Sequence, residues 1–139
     1  MEPWYYIRAL PGKNVRGKLV DAFQSWLSIP ETEKTAVKEI VGGLHDASLL
    51  VDDIEDNSEL RRGRPVAHAI YGIPATINCA NYIFFLSLQQ CSALQNADAM
   101  KIYIKEMLHL HNGQGYDILW RDSITCPTVM QYNDMVINS

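Results

Sequence analysis

Helical spacing dominates the pattern of apolar and polar positions. From Thr35 onward, Val37, Ile40, Val41, Leu44, Ser48 and Val51 recur at intervals of three and four residues, which places them on one face of a helix. Pro30-Glu31-Thr32-Glu33 stands before them as a start signal. Residues 75–95 and 97–111 give two further helices, neither interrupted by proline. Arg62–Pro65 and Gly72–Pro74 supply the breakers between the first helix and the second. No run of useful length alternates with period two, and no internal repeat, low-complexity tract or linker divides the chain. The expectation is one all-helical domain over residues 1–139.

One stretch departs from simple amphipathic patterning. In "SLLVDDIEDNSELRRGRPVAH", residues 48–68, the acids Asp52, Asp53, Glu55 and Asp56 crowd together, and Arg61, Arg62 and Arg64 come soon after. At about 100° per residue and with His45 set at zero, Asp52 lies at roughly −20°, Asp56 at roughly +20° and Asp53 at roughly +80°. Three carboxylates and one imidazole are thus expected on one side. Like charges at i, i+4 cost about 0.2–0.5 kcal/mol, and carboxylates this close raise each other's pKa, so a positive partner is needed. Magnesium suits the role, because it prefers hard oxygen ligands and takes one or two protein carboxylates together with waters and substrate phosphates. An EF-hand calcium loop starting at Asp53 is excluded, since Ser58 stands where glycine is required and Arg64 where glutamate is required. The plain alternatives are a solvated acidic helix end and an ordinary exposed pair in Arg61 and Arg62. Against them stands a second basic group far upstream, "PGKNVRGKL", with Lys13 and Arg16 three residues apart. Guanidinium forks and a lysine point charge are what a diphosphate requires. Carboxylates with two separate basic groups point to two phosphorylated substrates.

Composition narrows the setting. The 139 residues carry a formal net charge of −4 and are 47% hydrophobic, as in a globular domain able to enclose a core. Mild acidity argues against nucleic-acid binding, which usually shows a basic excess. Cys79, Cys91 and Cys126 are far apart and odd in number, so neither a zinc site nor a disulfide framework is indicated and a reducing, cytoplasmic setting is expected. No signal-peptide pattern opens the chain, and its apolar runs are too short for a transmembrane segment.

These motifs carry a family resemblance. "LPGKNVR" (10–16), "LLVDDIEDNSELRRGRPVAH" (49–68), "YGIPATINCANY" (71–82), "GQGYDILWRD" (113–122) and "CPTVMQYNDMV" (126–136) succeed one another over nearly the whole chain. In this order they resemble the N-terminal half of a trans-isoprenyl diphosphate synthase, most closely a eukaryotic, fungal-type geranylgeranyl diphosphate synthase. The resemblance implies an all-α isoprenoid synthase bundle. It implies that Asp52, Asp53 and Asp56 hold magnesium ions bridging to the diphosphate of an allylic substrate, and that Arg61 contacts that diphosphate. Lys13, Arg16, His45 and Arg62 match the site for isopentenyl diphosphate, and Gln114 and Asp117 match a segment near the metal cluster. Small side chains at Ala47 and Ser48 would let a growing tail pass, with Phe84, Phe85 and His111 as the floor of the chain-length pocket. The family also pairs as a homodimer, here through the apolar helix near residues 75–95.

Two features of the resemblance are incomplete. The second aspartate-rich motif expected on a later helix does not occur in these residues, and Ser139 stands where a lysine is expected. The expectation is therefore an N-terminal half that does not turn over substrate by itself. The alternatives are a class I terpene cyclase or the prenyltransferase domain of a bifunctional terpene synthase, and a truncated, non-catalytic dimerising partner. The Arg-Arg-Gly after the acidic motif and the upstream Lys13/Arg16 pair disfavour a cyclase, which has no second diphosphate to hold.

Overall fold

A computed structural model describes residues 1–138; Ser139 lies outside the described residues. Among the described residues seven helices run in order: α1 (Glu2–Ala9), α2 (Val15–Leu27), α3 (Glu31–Glu55), α4 (Ala67–Tyr71), α5 (Ile73–Ala93), α6 (Ala97–Asp122) and α7 (Val129–Asn138). A two-stranded hairpin, β1 (Leu60–Arg61) and β2 (Arg64–Pro65), interrupts them after α3. The residues divide into two compact units, Met1–Gln95 and Asn96–Ser139.

In the first unit the core lies between α3 and α5, with α1 and α4 closing it. Ile7, Ala47, Leu50, Ala67, Cys79, Ala80 and Ile83 form its buried cluster. Leu50 and Ile83 are fully enclosed, each contributing about 1.5–3 kcal/mol of transfer free energy. Two small residues set how closely the helices approach. A Cβ on Gly43 would stand 2.8 Å from the Ser87 hydroxyl oxygen, and Ala47 is completely covered. Consequently the buried edge of α3 is Ile40, Gly43, Ala47, Leu50 and Asp53, one step round from the apolar stripe through Leu44, Ser48 and Val51. Hydrophobicity marks that stripe, but α5 packs where the side chains are smallest.

The end of α3 directs the chain back into a hairpin. Asn57 takes the left-handed conformation (φ 51°), the Asn57 N–H donates to Ile54 O at 3.1 Å and the Ser58 N–H donates to Asp53 O at 2.9 Å. This is a Schellman cap, for which asparagine is the usual substitute for glycine. The hairpin pairs Leu60 with Pro65 and Arg61 with Arg64. Its two connecting residues, Arg62 and Gly63, both have positive φ (55° and 75°), as a type I′ turn requires. The Tyr6 hydroxyl donates to Pro65 O at 2.7 Å and ties the hairpin to α1.

The α2 helix buries no residue and is joined to α3 by charge: Lys38 Nζ lies 2.8 Å and Lys34 Nζ 3.7 Å from Asp21. In the second unit α6 packs with α7, burying Gly113 and Met135. The helix expected over 97–111 continues to Asp122, passing through Gly113 and Gly115, each of which weakens a helix by only about 1 kcal/mol. The three cysteines are free. Among the described residues no helix is long and apolar enough to cross a membrane.

Candidate functional site

A cavity of about 840 Å³ opens in the first unit, lined by the α1–α2 connection, α2, α3 and Arg62. Lys13, Arg16, His45 and Arg62, which are separated by up to 49 positions in sequence, all line it, together with Arg8, Lys38 and Asp46. The Arg62 guanidinium donates through Nη1 to Leu10 O at 3.0 Å. A Cβ on Gly12 would stand 3.1 Å from that Nη1, so glycine at 12 gives the guanidinium room. The tight turn explains how neighbouring arginines separate: Arg61 reaches the end of α3 while Arg62 reaches the α1–α2 connection.

Cations crowd His45. Burial of the ring, and then the charges of Arg16, Arg62 and Arg61, lower its pKa to about 4. The imidazole is neutral at physiological pH. Asp46 behaves oppositely: burial raises its pKa, against the pull of Arg8, Arg62, the Trp4 indole and Arg16. Its Oδ2 lies 3.9 Å from Arg8 Nε, and Arg8 itself stacks over Trp4 at 4.8 Å.

At the acidic helix end the arginine is engaged. Arg61 Nε donates to Asp53 Oδ1 at 2.7 Å, and Nη2 lies 2.7 Å from Asp52 Oδ2 and 2.6 Å from Asp53 Oδ1. Asp53 is only 1% exposed, whereas Asp56 is exposed. Burial, followed by the neighbouring Asp56 charge, raises the pKa of Asp52 against the opposing pull of Arg61. The donor chemistry fits a hard divalent cation, being carboxylate oxygen throughout, and Asp53 Oδ2 is buried without a hydrogen-bond partner. Among the described residues, however, no three His, Cys, Asp or Glu side chains gather as a metal-holding group. The three carboxylates expected on one side of the helix thus differ in exposure. The approach of α5 to Gly43 and Ala47 turns Asp53 into the buried edge, leaving Asp52 and Asp56 as the i, i+4 pair.

The residues expected at the chain-length pocket differ in burial. Ala47 is wholly within the core. Ser48 is half-buried and donates its hydroxyl to His45 O at 2.8 Å. Phe84 packs against the core, but its neighbour Phe85 is 72% exposed, because consecutive helical residues point about 100° apart. The two rings therefore face different sides of α5. His111, Gln114 and Asp117 belong to α6 in the second unit. The His111 Nδ1–H donates to Met107 O at 2.8 Å, the Gln114 amide nitrogen is buried without a partner among the described residues, and Asp117 is exposed.

Sequence reading missed Arg8, Gly12, Lys38 and Asp46 as cavity residues. Pro11-Gly12, directly ahead of Lys13, was the available signal for a backbone that must pass close to another group.

Comparison with known proteins agrees with these motifs. The family model described as polyprenyl synthetase matches residues 1–139. The chain is 55% identical to geranylgeranyl pyrophosphate synthase cle6 of Aspergillus versicolor, over 98% of this chain and 36% of that protein. It is 54% identical to geranylgeranyl pyrophosphate synthase spyE of Aspergillus fumigatus, over 98% of this chain and 38% of that protein. It is 49% identical to the geranylgeranyl pyrophosphate synthase of Mucor circinelloides, over 99% of this chain and 46% of that protein. The chain thus spans less than half the length of these curated relatives. With a family match over its whole length, it belongs to the polyprenyl synthetase family.

Proposed function

We propose that the protein is a magnesium-dependent prenyltransferase that condenses isopentenyl diphosphate with an allylic diphosphate, farnesyl diphosphate or shorter, to geranylgeranyl diphosphate. Residues 1–139 form the N-terminal half of the catalytic domain in this reading, as their span of 36–46% of three relatives supports. The observation that carries it is the meeting of Lys13, Arg16, His45 and Arg62 at one cavity, where His45 comes from the same helix whose end carries the acidic pair Asp52 and Asp56. Two separate charged sites that border one helix suit two diphosphates and disfavour a cyclase.

The roles come from charge and placement. Lys13, Arg16 and Arg62 bind the isopentenyl diphosphate, the guanidiniums by forked hydrogen bonds and the lysine as a point charge. Neutral His45 donates one ring N–H without adding a charge that the cavity would have to desolvate. In the condensation the allylic C–O bond breaks, the double bond of isopentenyl diphosphate supplies the electrons of the new C–C bond, and one proton leaves the resulting cation. Arg61 faces the departing diphosphate and stabilises its developing charge. Magnesium, held by Asp52 and Asp56, supplies further compensation of that charge when bound. Asp53 serves as the buried anchor of Arg61. The apolar faces of α3 and α5 keep water from the allylic cation, and half-buried Ser48 lies beside the growing tail.

The exposed side of α5 carries Ile73, Ile77, Tyr82 and Phe85. Phe85 lies opposite the buried edge with Ile77 and Tyr82 on its flanks, an apolar surface that a second copy of the chain covers in this reading. The reading places the protein in the cytoplasm. Isothermal titration of isopentenyl diphosphate into wild type, Arg16→Ala and Arg62→Ala tests the assignment. Each variant is expected to bind at least about tenfold more weakly, the value of one charged hydrogen bond. Equal affinity in all three proteins removes the cavity as the binding site.

A further inference from the structure

The two carboxylates held by Arg61 are not equivalent. Asp53 is 1% exposed and receives both Nε and Nη2 on one oxygen, whereas Asp52 is 33% exposed and receives Nη2 alone. Withdrawing the guanidinium from Asp53 would strand a charge in the core, where a missing partner is heavily penalised. Withdrawing it from Asp52 leaves that carboxylate facing solvent. One arm is therefore an anchor and the other is exchangeable.

The backbone holds Arg61 at this place from both sides. The Schellman cap at Asn57 turns the chain back, and the Ser58 N–H bonds to Asp53 O at 2.9 Å. Arg61 then sits opposite Arg64 in the hairpin, whose turn residue Arg62 is fastened to Leu10 O and whose Pro65 accepts from Tyr6. With both flanks fixed, the freedom left to Arg61 is in its side-chain torsions.

We propose that Arg61, anchored on Asp53, is a built-in counter-cation of Asp52 that a divalent cation must displace, so that the acidic helix end is closed to metal until the guanidinium arm swings away. This rests on the metal reading of Asp52 and Asp56 and adds a competitor to it. A metal ion and a guanidinium nitrogen, both positive, repel each other when they share one carboxylate oxygen. The apparent metal affinity of the wild type is then the intrinsic affinity reduced by the fraction of molecules in which Arg61 has left Asp52. The same displacement frees the one Nη2–H that Asp52 had accepted, while Nε stays on Asp53.

Manganese, read by electron paramagnetic resonance at fixed ionic strength and without any diphosphate, is the probe. Arg61→Gln is expected to bind manganese at least about tenfold more tightly than wild type, since a charged hydrogen bond no longer competes. Arg64→Gln removes the same charge from the same hairpin without touching Asp52, and should change affinity less than about twofold. Asp52→Asn tests the underlying reading separately. If it keeps wild-type affinity, the metal assignment itself fails. If it abolishes binding while Arg61→Gln binds no more tightly than Arg64→Gln, the metal site stands and the counter-cation is refuted. Because Arg61→Gln leaves Asp53 unpaired and destabilises the fold, thermal unfolding is recorded with and without manganese. The expected result is a larger rise in melting temperature on adding manganese to Arg61→Gln than to wild type. Equal rises in the two proteins overturn the proposal; where Arg61→Gln does not fold, Arg61→Gln/Asp53→Asn removes the stranded carboxylate, and manganese affinity no tighter than that of Asp53→Asn alone overturns it.

Discussion

Acidifying the protein should expose the cost of keeping His45 neutral. Its pKa falls from 6.5 to about 4 on folding, through burial and then the charges of Arg16, Arg62 and Arg61. Between these values the unfolded chain binds a proton that the folded chain refuses, so stability declines as pH falls from about 6.5 to about 4 and is constant below that window. At pH 5 the unfolded imidazole is almost fully protonated and the folded one almost wholly neutral. The difference there is roughly 1.5 pH units, or about 2 kcal/mol at 1.36 kcal/mol per unit, and about half that once partial exposure of the ring to solvent is allowed for. Urea unfolding of wild type and His45→Gln at pH 7.5 and pH 5 isolates the effect, because glutamine does not titrate. Wild type should lose about 1 kcal/mol more than the variant over this interval. Asp46, whose raised pKa acts with the opposite sign, is present in both proteins and cancels in the comparison. Equal losses, or a wild type that loses less, would refute the claim that Arg16 and Arg62 surround a desolvated His45.

Removing the one carboxylate beside Arg8 should tighten the cavity toward anions: Asp46→Asn is expected to bind inorganic pyrophosphate about fivefold more strongly, the worth of one screened contact, and calorimetry showing unchanged or weaker binding contradicts this. Ser48→Phe places a ring next to His45 O, where Ser48 now bonds, and should shift the main product toward C15, while Phe84→Ala lengthens it; unaltered product chromatograms in both variants remove these residues from the tail path. Phe85→Glu puts a charge on the 72% exposed position of α5 and should reduce association in sedimentation velocity with little loss of stability, whereas an unchanged distribution of species rules this face out as the self-association surface.

Helix content was legible because the apolar positions repeat every three to four residues, and α3 and α5 start and stop within a few residues of expectation. Register was not. The stripe through Leu44, Ser48 and Val51 is the more hydrophobic, yet Gly43 and Ala47 decide the packing, since a Cβ at 43 would collide with Ser87 from another helix. That contact joins residues 44 positions apart and has no local signature. The same packing leaves Asp53 at the buried edge of α3. The hairpin was hidden for a different reason. Arg62-Gly63 reads as a breaker, and its left-handed arginine at φ 55° is held by a bond to Leu10 that lies 52 positions away. The cavity cations were legible only through family resemblance: nothing in spacing alone brings Lys13 and Arg16 to His45 and Arg62. The short helices α1, α4 and α7 escaped because each presents too few apolar repeats to stand out; α2 has such a repeat in Val15, Leu19, Phe23, Trp26 and Leu27 but buries none of its residues.

The most direct measurement is product formation by the protein in its natural full length, incubated with labelled isopentenyl diphosphate, farnesyl diphosphate and magnesium. A prenyltransferase of this kind yields a labelled C20 diphosphate, with the rate falling by about 10²–10³ or more in Asp52→Ala, as removal of one group that stabilises leaving-group charge typically does. A cyclised hydrocarbon as the product, or near-normal turnover in Asp52→Ala, would contradict it.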